Sequence, residues 1–313
     1  MSLSGAEIYS LIEARAQELG FVDFGCAPAG EVPHYLQENY IDALTSGHFA
    51  NMEYLCRNLE KRFNPQLLVE GARSVMVFLA PYSLPQAVNH PKGFAQFALG
   101  EDYHIAIKEK LFAIMKKLQG RAFTDSAPVM ERYWATRAGL GWIGKNNFLI
   151  SRTCGIKNLI GIIISNLEIP ATSEILPDKH SQTTASCGEC SRCLSACPSG
   201  ALSRPFCTDA RKCISYHTIE NRNLQDDIAS GTVPHFAGAI FGCDRCLDAC
   251  PWNSANKTGW EVFHKNAELL SGKNVEWWMG VSPEEFKRIF KDTSLQRGGL
   301  QNIKASIQWG KKE

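Results

Sequence analysis

The sequence carries almost no net charge, no long apolar run and no export leader, and each absence removes a class of protein. Its 33 Lys and Arg nearly balance 32 Asp and Glu, leaving +1, so the whole-chain balance does not announce nucleic acid. The longest apolar run, Leu159 to Ile164, has the length of a strand, far short of the roughly 20 residues that cross a bilayer. The N-terminus, MSLSGAEIYSLIEARAQELG, shows no basic stretch, apolar core or small-residue cleavage site, and a cytoplasmic chain is expected. There is no low-complexity tract and no internal repeat beyond two cysteine motifs.

What is present is cysteine. Twelve cysteines in a compartment that keeps thiols reduced point to metal or redox chemistry rather than a disulfide framework. Cys26, Cys56 and Cys154 are scattered through the first half and read as small hydrophobes; the other nine fall between Cys187 and Cys250. Cys187-x2-Cys190-x2-Cys193-x3-Cys197-Pro198 has the spacing of a bacterial two-cluster ferredoxin, in which the fourth thiolate serves the other cluster. Cys243-x2-Cys246-x3-Cys250-Pro251 is a second run, one ligand short. Two [4Fe-4S] clusters need eight thiolates, and the eighth is Cys207 or Cys213. Cys213 is preferred because it opens a predicted helix, whose N-terminal charge favours thiolate. Cluster one then takes Cys187, Cys190, Cys193 and Cys250; cluster two takes Cys197, Cys213, Cys243 and Cys246. A pair of zinc sites would call for two separate four-ligand sets with longer internal loops.

Helical spacing of Ile8, Leu11, Ile12 and Leu19 predicts a first helix ending at Gly20, followed by a strand at FVDFGCA. Strands are predicted at 74–79 and 159–168, helices at 105–118 and 128–138, and a loop at 139–146. Interleaved strands and helices predict an α/β layered domain up to about residue 170. Residues 170–186 read as a linker, and Ser282-Pro283-Glu284-Glu285 as a helix start.

Several segments resemble epoxyqueuosine reductase. They are Lys61-Arg62-Phe63-Asn64-Pro65, Ala98-Leu99-Gly100-Glu101-Asp102-Tyr103-His104, Asp125-Ser126-Ala127-Pro128-Val129-Met130-Glu131-Arg132 and Arg137 through Asn146, with Asp209 to Tyr216 and Gly242 to Cys246 in the second half. The resemblance runs from about residue 6 to 300. It implies an α/β (α+β) cobalamin-binding domain of nitroreductase-like layering over 1–170, a ferredoxin-like two-[4Fe-4S] domain over 171–260 and a helical tail over 261–313. Longer family members add a helical-repeat domain, for which this chain is too short.

The implied activity is reduction of epoxyqueuosine to queuosine at the wobble position of tRNA, by cobalamin reduced through the clusters from an external electron donor, in a monomer. The corrinoid rests on the resemblance alone, since the Asp-x-His-x-x-Gly cobalamin signature is absent. Asp125 corresponds to the family's proton donor; as a residue read by itself it would cap the helix near Pro128. Asp102, His104 and Arg132 resemble further pocket residues, against bland readings as turn, helix start and surface ion pair. Tyr54, Arg57 and Asn146 are candidates for corrinoid contact, and Gly139, Gly141 and Gly144 for a close-approach loop beside it. Lys108, Lys110, Lys116, Lys117, Lys145, Arg152, Lys157 and the basic tail are candidate phosphate contacts. The rival readings are a corrinoid reductive dehalogenase, a non-catalytic iron–sulfur electron carrier and a nucleic-acid-binding module with structural clusters.

Overall fold

The computed structural model describes residues 4–116, 118–176 and 186–310. The predicted linker and Lys117 lie largely or wholly outside the described residues. Among the described residues six strands, β1 (Asp23–Pro28), β2 (Ser74–Pro81), β3 (Arg121–Phe123), β4 (Trp142–Ile143), β5 (Leu149–Ile150) and β6 (Asn158–Ser165), form two sheets. The larger has the order β1-β2-β6-β3 and every pairing in it is antiparallel; β4 and β5 make a small hairpin. Five helices belong to the same half: α1 (Gly5–Glu18), α2 (His34–Thr45), α3 (Leu59–Phe63), α4 (Tyr103–Met115) and α5 (Glu131–Arg137).

The pleat of β2 explains why its sequence is apolar without alternation. Met76, Phe78 and Ala80 face one core with Tyr9, Ile12 and Ala16 of α1 and Ile107 and Leu111 of α4. Val75, Val77 and Leu79 face another with Trp134 and Ala135 of α5 and with Ala138 at its end. A strand covered on both faces has no side that needs to be polar. The domain is a three-layer α/β structure with the sheet in the middle. α1 starts at a capping box, Ser4 and Glu7 bonding each other's backbone N–H, and Gly20 follows its end.

Packing does not stop at residue 170. Thr172 is buried and its hydroxyl accepts from the Cys26 N–H at 2.8 Å. Nor does the helical tail stand apart: Trp278, Phe286, Phe290 and Ile303 share a core with Phe94, Leu99 and Phe241. The terminal segment Leu295–Gly310, two helices joined by a kink at Gly299, bonds back onto the segment between the cysteine runs, through Arg297 to Glu220 (2.7 Å), Asn302 to Asn221 O (2.9 Å) and Trp309 to Pro234 O (3.2 Å). Ser282 caps Pro283–Ile289 by accepting from Glu285 N–H, as its sequence predicts. Cys26 and Cys154 are buried small hydrophobes; Cys56 is exposed, contrary to that reading. Among the described residues no helix is long and apolar enough to cross a membrane.

Candidate functional site

The acidic residues meet at the start of α4. Asp102 caps that helix, accepting from His104 N–H at 3.0 Å and from the His104 ring Nδ1 at 2.6 Å. Burial pulls the Asp102 carboxyl upward, but these bonds outweigh it and hold the group below the ordinary carboxylate range. The tail supports this cap: Asp102 N–H donates to Asp292 O, and Lys265 pairs with Glu101 at 2.9 Å. The other ring nitrogen of His104 lies 4.0 Å from Asp125. Asp102 and His104 are therefore turn and helix-start residues and also neighbours of Asp125.

Asp125 does not cap α5; the residue at that position is Met130. Asp125 sits in a turn between β3 and α5 at φ +49°, with about two-thirds of its side chain exposed. Two residues missed by sequence reasoning hold it. The Tyr103 hydroxyl donates to its carboxylate at 2.5 Å, and its own backbone N–H donates to Glu131 Oε1 at 2.6 Å. Burial, then the nearby Asp125 charge, raise the Glu131 pKa. Both residues stand in the motifs that carry the resemblance; what hid them was that neither pairing follows helical or strand spacing.

Tyr54 and Arg57 line an open cavity of about 240 Å³ with Asn51, Met52, Glu53, Glu220, Arg222 and Arg297. Burial, then Glu220 and Asp125, push the Tyr54 phenol up to about 12, so Asp125 is within electrostatic reach of this cavity. Arg297 lies 5.5 Å over the Tyr54 ring, and Arg57 pairs with Glu53 at 2.9 Å.

Asn146 is buried and its amide reaches Cys246 O at 3.4 Å, which puts it at the cysteine region rather than in the Tyr54 cavity. Among the described residues Arg132 makes no ion pair; its guanidinium donates to Asn147 O. Gly139 and Gly141 each have a backbone reason. Gly139 ends α5, with the N–H of Leu140 bonded back to Ala135 O. At Gly141, φ +151°, a Cβ would lie 2.0 Å from Ile150 O across the hairpin. The 139–150 segment is a joint: Lys145 donates to Gly188 O at 2.6 Å, and Trp142 meets Trp252 edge-on at 4.9 Å beside Leu247 and Cys250. Lys157 is buried against Asp248 at 2.7 Å, which removes it from the candidate phosphate contacts, and Lys110, half-buried, bonds Leu19 O.

The cysteines gather into two neighbourhoods. Cys250 is raised by burial and then feels Cys187, Cys193 and Cys190. Cys246 is raised by burial and then by Cys243, Cys213 and Cys197. Burial also outweighs the helix-start N–H groups at Cys213 and raises that thiol. Cys207 belongs to neither set and lies 3.7 Å from the His48 ring. Among the described residues, no group of three or more His, Cys, Asp or Glu is arranged to hold a single metal ion.

Residues 186–253 match the family described as a 4Fe-4S double cluster binding domain. The α/β fold, the carboxylate cluster and the two thiol quartets define the class: a two-cluster iron–sulfur oxidoreductase. Residues 62–130 match the family described as epoxyqueuosine reductase QueG. An epoxyqueuosine reductase of Leadbetterella byssophila is 36% identical over 96% of this chain and 97% of its own length. That of Cyclobacterium marinum is 35% identical over 97% and 96%. A crystal structure of epoxyqueuosine reductase with an epoxyqueuosine-modified tRNA-Tyr stem loop shares the fold at a TM-score of 0.80, with 22% identity, over 97% of this chain and 81% of that one. The chain belongs to the epoxyqueuosine reductase family.

Proposed function

We propose that this protein reduces the epoxide of epoxyqueuosine in the anticodon loop of tRNA to give queuosine. The supporting observation is the exposed Asp125 carboxylate, held by Tyr103 within a chain that follows its family over nearly its whole length. The two quartets fit the clusters by their donor chemistry: Cys187, Cys190, Cys193 and Cys250 would hold one, and Cys197, Cys213, Cys243 and Cys246 the other. The Tyr54 cavity fits the edge of an amide-rich cobalamin, with the Tyr54 phenol and the Arg57 and Arg222 guanidinia as donors, and no histidine lines it to ligate cobalt. The three layers with an antiparallel sheet agree with nitroreductase-like layering. Bound clusters would bring electrons one at a time, and bound cobalamin would supply the low-valent metal that breaks the C–O bond.

Removing the oxygen as water takes two electrons and two protons. Asp125 protonates the departing oxygen, which otherwise leaves poorly as an alkoxide. Tyr103 fixes the carboxyl, and His104, oriented by Asp102, stands beyond it as the group from which the proton is replaced. Lys116 and Arg152 are exposed and remain available to tRNA phosphates. The protein acts in the cytoplasm as a monomer and draws on an outside electron donor. Anaerobic reconstitution with iron, sulfide and cobalamin, then reduction in the presence of an epoxyqueuosine-bearing stem loop, should give queuosine. A preparation holding its full iron and corrinoid that forms none refutes the reading.

A further inference from the structure

The turn that carries Asp125 is gripped from two helices at once. From α4, Tyr103 donates to the carboxylate at 2.5 Å and Lys108 Nζ donates to Ser126 Oγ at 2.7 Å. From α5, Glu131 accepts the Asp125 backbone N–H at 2.6 Å. Glu131 lies in the first turn of its helix, where a carboxylate ordinarily serves the N–H groups of that helix. Here it reaches six residues back along the chain. The choice is unfavourable on electrostatic grounds, because it sets a second carboxyl, half-buried, beside Asp125. Asp125 in turn holds φ +49°, a conformation that residues with a Cβ rarely adopt and that persists where surrounding contacts determine it. Its side chain is mostly exposed, so packing does not supply those contacts.

We propose that Glu131 is a positioning residue: by taking the backbone N–H of Asp125 it latches the turn in the one conformation that presents the Asp125 carboxyl to the substrate. Glu131 touches no reacting atom and acts through Asp125. The inference rests on the reading of Asp125 as proton donor, and its test separates the two.

Reconstituted holoenzyme carrying E131A, E131Q or Y103F is compared with the parent by steady-state kinetics on the stem loop and by hydrogen exchange over residues 124–130. Glu131→Ala removes the acceptor. Exchange at the Asp125 amide should speed up about tenfold or more, and kcat should fall about 10- to 100-fold with KM within twofold. Glu131→Gln keeps an acceptor oxygen and should restore slow exchange and most of kcat. Tyr103→Phe frees the carboxyl but leaves the backbone latch, so the Asp125 amide should stay protected while kcat drops. Unchanged exchange in E131A, or a Gln variant as impaired as the Ala variant, overturns the latch. Should D125N prove fully active, the proton-donor reading falls, while the exchange result still reports on the latch. Should E131A not accumulate as folded protein, the proposal stands or falls on E131Q, whose amide protection must match the parent.

Discussion

Replacing Gly141 by alanine tests what the glycine-rich motif is for. A Cβ there would lie 2.0 Å from Ile150 O and 2.9 Å from Ile150 C, and the backbone holds φ +151°. Neither neighbour is a side chain that can turn away. The strain of an L-residue in this region costs about 1–3 kcal/mol. Relieving the contact means parting β4 from β5, whose register pairs Trp142 with Ile150. Both are at least 96% buried in the joint with Leu247 and Cys250, so loosening them adds about 2–3 kcal/mol. The expected loss of about 3–6 kcal/mol is a large part of a typical stability and should lower Tm by about 10 °C or more.

Gly144→Ala is the control, because its Cβ would meet Ile150 Cδ1 at 2.7 Å and Asn146 Oδ1 at 2.8 Å, ends of side chains able to rotate. It should cost only about 1 kcal/mol. The assay is anaerobic calorimetry at one scan rate, with iron content and cobalamin binding measured in parallel. Equal damage from both variants, or a G141A protein that melts like the parent yet loses cobalamin, would show that the glycines clear space for a cofactor rather than for the hairpin.

Asp125→Asn keeps a partner for the Tyr103 hydroxyl and loses only the transferable proton; kcat should fall about 10²- to 10⁴-fold at unchanged iron content, as read by stem-loop turnover. Cys213→Ser should halve an iron content of about eight per chain, whereas Cys207→Ser should leave it intact; iron analysis that reverses the two would exchange their roles. Glu131 has its pKa raised to about 8 in the fold, so it favours the folded state below the ordinary carboxylate range and this contribution is lost as pH rises toward 8. Glu131→Gln should therefore gain stability relative to the parent progressively between about pH 4.5 and 8 and gain none below; a difference in chemical denaturation midpoints that is flat with pH would contradict this.

Part of the first half was legible because burial leaves periodic traces: β2 and β6 as unbroken apolar runs, α1 and α4 as helical spacing; α2, α3, β3 and the β4–β5 hairpin, which falls partly in the predicted loop at 139–146, were not. The double-cluster region was legible because cluster geometry dictates cysteine spacing along the chain. Contacts between distant segments leave no such trace. Nothing in the sequence says that Asn146 bonds Cys246 O, or that Lys157 is buried against Asp248. The glycines of the motif looked like room for a ligand because a sequence does not distinguish space for a cofactor from space for a neighbouring strand. Glu131 was overlooked because its partner is the backbone of Asp125, and backbone atoms are alike at every position.

The terminal helix has a practical bearing on how this protein can be altered. Its 16 residues fasten Glu220, Asn221 and Pro234, which lie on the stretch joining Cys213 to Cys243. A stop codon at residue 295, or a bulky tag fused close behind Trp309, would act far from the substrate and be felt first as bleaching of the brown colour, by loosening one of the two thiol quartets from its end of the chain.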